Sequence, residues 1–319
     1  NGYNNSVNAS YGTIVGGGNN LISNDFSFIG NGVANITSGR YSFIGNGYNN
    51  SVAGYASFIG GGVGNIASGI GSFIGNGTGN TTSSILSFVG NGSGNTASGA
   101  GSFIGNGTGN TASGIHSIIV GGRLNSATTS YSSIVGGSNN LASSPWSFIG
   151  GGFKNSATTS YSSIVGGKNN ITSGAMSFVG SGSGNTASGN YSVIGGGKQN
   201  KTIGYYSSIV GGRQNQAIGY YSFIGSGSYN TARTDYTTVV GGAYNFAYGQ
   251  NSFIGSGSYN QTNGMFSSIV SGQRNFADGP NSFIGSGYRN SATTSYSSIV
   301  GGKYNLVSGN SYSNNTSSS

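Results

Sequence analysis

The sequence predicts an all-β chain, a parallel β-solenoid or β-roll of about 21 stacked rungs. Three observations predict it. An asparagine recurs at every fifteenth position, from Asn5 through Asn305, without one insertion or deletion, which makes 21 copies. Glycine and β-branched residues keep constant places between those asparagines. The residues that fill the repeat are Gly, Ser, Thr, Asn, Ile and Val, which are turn and strand material and poor helix formers.

With that asparagine placed in slot 5, each part of the repeat has a reason. Slot 2 is glycine in every copy, from Gly2 to Gly302, and slot 14 is Ile or Val from Ile14 to Ile299. Slot 12 is Ser or Thr except at Gly12, slot 7 is small or β-branched, and slot 9 is most often glycine. A repeat that tolerates no change of length is one coil of a tube, because each coil must lie in register on the last. Helical repeats need longer units than this. Fifteen residues divide into two short strands, near slots 5–8 and 11–15, with turns near slots 9–10 and 1–4 where the glycines sit. Coils about 4.8 Å apart over twenty intervals predict a rod roughly 100 Å long. The pattern runs through residues 1–309, and residues 310–319 read as a Ser/Asn-rich tail or linker.

Strand parity then sorts the side chains. Slots 12 and 14 share one face, as do slots 5, 7 and 9, and these near-invariant positions are placed inside. Ile29, Ile44, Ile104 and Ile254 stack into a thin apolar core. Asn5, Asn20, Asn35, Asn50, Asn65, Asn110 and Asn305 belong to a corner ladder that satisfies turn backbone groups from rung to rung.

The outward slots are unusually apolar. Slot 11 is mostly aromatic, as at Tyr131, Tyr161, Tyr191 and Tyr221. Slots 13 and 15 trade volume: Phe28, Phe43, Phe148, Phe223, Phe253 and Phe283 accompany glycine at slot 15, whereas Ser133, Ser163 and Ser298 accompany valine. Compensating volumes suggest packed residues, and a long unpartnered apolar stripe exceeds what a soluble monomer exposes. These phenylalanines and tyrosines are therefore the expected interface of a homo-oligomer. With reversed parity, Phe and Tyr would fill the inside, leaving the fold unchanged and weakening the oligomer argument.

Composition bounds the function. Of 319 residues, 65 are glycine and only 4% are charged. There is no cysteine, so neither a disulfide framework nor thiol chemistry is expected. No apolar run approaches the roughly 20 residues of a membrane helix, and no signal peptide begins at Asn1. The three acids, Asp25, Asp235 and Asp278, lie in separate regions and cannot build a paired-carboxylate or calcium site. The single histidine, His116, occupies an aromatic slot and reads as a stacked ring. The Gly-x-Gly strings lack the following helix and the Lys-Ser/Thr ending of a phosphate loop. Catalytic, cofactor and metal roles are all read as none, and the dilute charge of +8 does not indicate nucleic acid.

The run Ser102-Phe103-Ile104-Gly105 with Asn110-Thr111-Ala112-Ser113-Gly114 resembles the head repeats of trimeric autotransporter adhesins of the YadA type, over residues 5–309. The resemblance implies a left-handed parallel β-roll in a homotrimer at a cell surface. The period of 15 and the heavy Phe/Tyr load depart from that pattern, and no neck, coiled-coil stalk or membrane barrel is seen. The Asn-x-Ala-x-Gly half also resembles the coils of grass ice-recrystallisation inhibitors. The Thr/Ser face that ice binding needs, as at Thr96 and Ser98, is interrupted at Lys201, Ile203, Arg233, Phe246, Tyr248 and Asp278.

Two further features are expected at the turns. Eight of the eleven basic residues fall in slots 3 or 4: Arg123, Lys154, Lys168, Lys198, Arg213, Arg274, Arg289 and Lys303. They form either a contact strip for anionic glycan, matrix or membrane surface, or a solubilised edge. Sequons at Asn49, Asn76, Asn91 and Asn106 occupy turn positions that a glycan can reach, whereas those in slot 5, such as Asn80, Asn170 and Asn260, are expected to be buried. The reading is an extracellular fibre or adhesin segment at a cell or virion surface, whose partner is itself and whose further partner is a glycan, matrix or host surface. A self-assembling filament or sheath and an ice-binding solenoid are the alternatives.

Overall fold

A computed structural model describes residues 2–309, so the tail assigned to 310–319 lies outside the described residues. The fold is a parallel β-solenoid of about 20 turns with a 15-residue repeat and no helix among the described residues. It divides into two compact units, Asn1–Tyr161 and Ser162–Ser319, and each unit is a stack of turns in register.

Three ladders run along each unit. Slots 6 and 7 pair with the same slots of the next turn, as Thr96 with Thr111 and Ala97 with Ala112 in the first unit. Slots 13 and 14 do likewise, as Phe223 with Thr238 and Ile224 with Val239 in the second. The third ladder, at slot 3, runs through single-residue bridges such as Ser93 to Thr108 and Lys198 to Arg213. The repeat pattern places slot 3 in a turn, with longer strands at slots 5–8 and 11–15. Each strand instead holds two residues.

The reason lies in the backbone. Slots 4 and 11 adopt the left-handed conformation in nearly every turn, at Tyr41 (φ 59), Tyr131 (φ 59), Lys154 (φ 54) and Tyr244 (φ 55) for example. Slot 11 is therefore a corner rather than a strand residue. Most turn amides point forward, as Phe103 N–H to Ser117 carbonyl at 2.9 Å, whereas the corner amides point back, as Tyr131 N–H to Ile115 carbonyl at 2.9 Å. The left-handed residue reverses the peptide and bends the chain, so extended pairing survives only between corners.

Slot 2 also needs positive φ, between 85° and 120° from Gly17 to Gly302, and a Cβ there would overlap the next turn's backbone carbonyl. This glycine lets the chain enter slot 3 extended, and so creates the third ladder.

Non-glycine residues in the left-handed region cost about 1–2 kcal/mol each. Gly64, Gly79 and Gly94 occupy slot 4, and an added Cβ would meet nothing within 4 Å at any of them, so this corner has room for glycine or for a larger residue. Gln199→Gly, at φ 55, is expected to raise stability by about 1 kcal/mol, seen as a higher Tm. A fall in Tm would mean that the glutamine side chain supplies more than its backbone strain costs.

The core is the inward side of the two strands. Ile29, Ile44, Ile104 and Ile254 are fully buried, opposite slot-7 residues such as Ala67, Ala97 and Ala232 that are equally buried. Each buried isoleucine contributes about 1.5–3 kcal/mol. Asn20, Asn35, Asn50, Asn65 and Asn110 are buried, while Asn5 and Asn305, in the first and last described turns, are half-buried. Slot-12 serines are buried beside them; some bond backbone carbonyls, as Ser57 to Gly69 at 2.6 Å, or the slot-7 threonine, as Ser192 with Thr202 at 2.9 Å, whereas the hydroxyls of Ser102, Ser117, Ser222 and Ser282 are buried without a hydrogen-bond partner. The interior is thus a narrow column of Ile, Ala, Ser and Asn, and the aromatic residues lie outside it.

Candidate interaction surface

Stacking turns in register stacks their side chains as well. In the first unit, Phe28, Phe43, Phe58, Phe73, Phe88 and Phe103 form one ladder of parallel rings, with centroids 4.7–5.0 Å apart and planes within 9°. That spacing is the turn-to-turn distance of a β-sheet, so the backbone sets it. Slot 11 gives shorter ladders, Tyr11–Phe26–Tyr41 and Tyr131–Trp146–Tyr161 in the first unit. In the second unit Tyr191, Tyr206, Tyr221 and Tyr236 stack at 4.9–5.2 Å. Each stacked pair adds about 0.5–1.5 kcal/mol beyond area burial. Their faces are used against each other, so solvent meets mainly ring edges.

The volume exchange at slots 13 and 15 has an account inside the turn. In the phenylalanine turns the ring lies over its own slot-15 glycine, with Cε1 only 3.4 Å from where a Cβ on Gly30 would stand and 3.3 Å at Gly255. Where slot 13 is serine that cover is missing, and valine at slot 15 supplies the bulk. Compensation of volume therefore needs no second chain. What still asks for a partner is exposure: Phe148 and Phe283 are each 38% exposed and Tyr161 is 55% exposed, while Phe28, Phe43, Phe223 and Phe253 are half-buried. Tyr131, Tyr191 and Tyr221 are exposed as well.

A second surface runs along slots 3 and 4. In the second unit its members from Arg213 to Tyr304 form one unbroken network. The Arg213 guanidinium lies 5.7 Å from the Tyr229 ring. Tyr229, Tyr244 and Tyr259 stack at 4.7 and 4.9 Å. Arg274 lies 5.7 Å from Tyr259 and donates from Nη1 to the Tyr288 hydroxyl at 3.1 Å. Arg289 lies 5.3 Å from Tyr288 and 5.8 Å from Tyr304. The sequence shows tyrosines interleaved with these cations, but not that the two kinds of side chain hold one another.

The remaining candidates are scattered. Asn49, Asn76, Asn91 and Asn106 are exposed, and the Oδ1 atoms of the last three accept the following glycine amide at 2.6–2.7 Å. Asn80, Asn170 and Asn260 are buried. His116 stacks on Tyr131 at 5.4 Å. Among the described residues no three His, Cys, Asp or Glu side chains gather to hold a metal ion, and no helix is long and apolar enough to cross a membrane. On the slot-6 and slot-8 face Lys201, Ile203 and Arg233 are exposed, which breaks the threonine array.

No protein-family model matches the chain, and no curated protein matches it. The likeness to trimeric adhesin heads therefore rests on the repeated Ser-x-Ile-Gly and Asn-x-Ala-x-Gly runs.

Proposed function

We propose that this chain is a non-catalytic segment of an extracellular structural or adhesive fibre, at a cell or virion surface, which self-associates through its outer aromatic stripe. The observation that carries the reading is the set of aromatic ladders left exposed on a fold whose own core is already filled by Ile, Ala, Ser and Asn. Ring edges repeated at nearly every turn form a stripe that a second copy covers with the same periodicity. A homo-oligomer follows, and the adhesin likeness makes a trimer the expected state. Its mechanism is presentation: a stiff, weakly charged stack carries a repeated surface, and weak contacts add through multivalency.

Light scattering of the purified chain at several concentrations tests the reading. A mass that stays at one small multiple of the chain is expected. Phe43→Ser, Phe58→Ser and Phe73→Ser combined, which cut three successive rings from the ladder, should shift that mass toward the monomer with the circular dichroism unchanged. A monomer at all concentrations would overturn self-association. Open-ended growth would move the assignment to a filament or sheath protein that binds only itself.

A further inference from the structure

We propose that the slot-3 and slot-4 strip of the second unit, from Lys198 to Lys303, is a binding surface for a linear acidic polysaccharide. The inference rests on the adhesive half of the function proposed above and names its ligand class. Successive turns of the strip present Lys198, Arg213, Tyr229, Tyr244, Tyr259, Arg274, Arg289 and Lys303, so every turn across this span carries a cation or a tyrosine. The cations stand in two groups, two turns at one end and three at the other, separated by a three-ring tyrosine ladder.

Three features separate this strip from a merely solubilising edge. The carboxylates of the unit are engaged elsewhere: Asp235 Oδ1 accepts the Tyr220 amide at 2.9 Å, and Asp278 Oδ1 accepts from Asn263 Nδ2 at 2.9 Å. The guanidiniums of Arg213, Arg274 and Arg289 are steadied by ring contacts at 5.3–5.8 Å, which lowers the rotamer entropy a ligand must remove. All five cations are exposed, so none is needed to fill the fold.

The geometry selects the partner. The tyrosine faces are spent on each other, so the strip offers no platform for unstacked bases, which single-stranded nucleic acid requires. It is a single file rather than the broad cationic face that suits an anionic lipid surface. Its turns advance about 4.8 Å, close to the advance of one pyranose residue in an extended chain. A uronate or sulfated chain laid along it meets arginine forks at its anionic groups and tyrosine edges and hydroxyls between them. At one sugar residue per turn, bridging the tyrosine ladder to reach both cation groups takes about five residues, and covering the whole strip takes about eight.

Calorimetry with the intact chain tests this, using oligogalacturonates of four and eight residues at low salt. The octamer is expected to bind at least about tenfold more tightly than the tetramer, because only it engages both groups, and to weaken as salt rises. Arg274→Ser, Arg289→Ser and Lys303→Ser together should weaken octamer binding about tenfold or more, whereas Lys201→Ser with Arg233→Ser, off the strip, should leave it unchanged. Arg274→Lys with Arg289→Lys keeps charge without the fork and should fall between. Equal loss from the off-strip pair, equal binding of neutral dextran, or tighter binding of oligothymidylate would each overturn the proposal. The strip variants should keep the oligomeric mass of the parent, so a failure here is distinguishable from a failure of self-association.

Discussion

Gly92→Ala is expected to cost more than about 4 kcal/mol and to split the first unit's stack at that turn, whereas Gly94→Ala, two residues on, should cost about 1 kcal/mol. Both glycines have positive φ, 106° and 63°. What differs is the space beside them. At Gly92 an added Cβ would overlap the Gly107 carbonyl oxygen and approach Asn95 Nδ2 to 2.6 Å, while at Gly94 nothing lies within 4 Å. The Gly107 carbonyl cannot yield, because it accepts from Ser93 N–H and Asn95 Nδ2, both at 2.9 Å. Each turn of a solenoid touches only its neighbours, so the damage should appear as lost amide protection at Ser93 and Thr108 in hydrogen exchange. Similar costs at the two sites would show that close stacking at slot 2 is not what excludes side chains.

The second large effect concerns the asparagine column. Asn230 is fully buried and donates from Nδ2 to the carbonyls of Ser226 at 3.1 Å and Gly242 at 3.0 Å, while its Oδ1 accepts the Asn245 amide at 3.1 Å. Asn230→Ala strands the buried Asn245 amide and takes the donor from the part-buried Ser226 carbonyl. At about 1–3 kcal/mol for each orphaned group, the expected loss is about 3–5 kcal/mol by denaturant unfolding of the intact chain. Asn230→Asp keeps the acceptor but loses both donors and sets a carboxylate against two carbonyl oxygens. Burial raises its folded pKa above the unfolded value of about 3.9. Stability should then be best retained below that unfolded pKa and lost as pH rises through the folded one. A loss below about 1 kcal/mol for the alanine variant would mean the corner satisfies its backbone without the ladder.

Much of this architecture is legible in the repeat. The invariant spacing of Asn5, Asn20 and Asn35 gives the coil, and the alternation of Ser102, Ile104, Asn110 and Ala112 gives the inward face. The third ladder was not legible, because slot 3 holds residues as unlike as Val33, Arg123 and Tyr288; its pairing depends on the conformation of the glycine before it. The repeat places slot 11 in a strand, where tyrosine and tryptophan are ordinarily at home, and nothing in residues such as Tyr131 or Trp146 announces a left-handed corner. The corner also forms at Ala56, Gly101 and Asn281, which carry no ring, and each of these keeps the back-directed amide, so the backbone bond rather than the ring offsets the strain. The interaction surfaces divide in the same way. That the slot-13 phenylalanines lie outside follows from strand parity, but that the slot-11 tyrosines sit on a corner, that Phe28 covers Gly30, or that Arg274 is steadied between Tyr259 and Tyr288, requires knowing which atoms meet.

Periodicity alone determined the solenoid, its 15-residue turn and the identity of its core, because a residue required at every turn must repeat at every turn. Contacts between turns decided where the corners bend, how short the strands are and which outward side chains hold each other. Those depend on the distance and angle between neighbouring backbones, and a linear pattern of residue types carries neither.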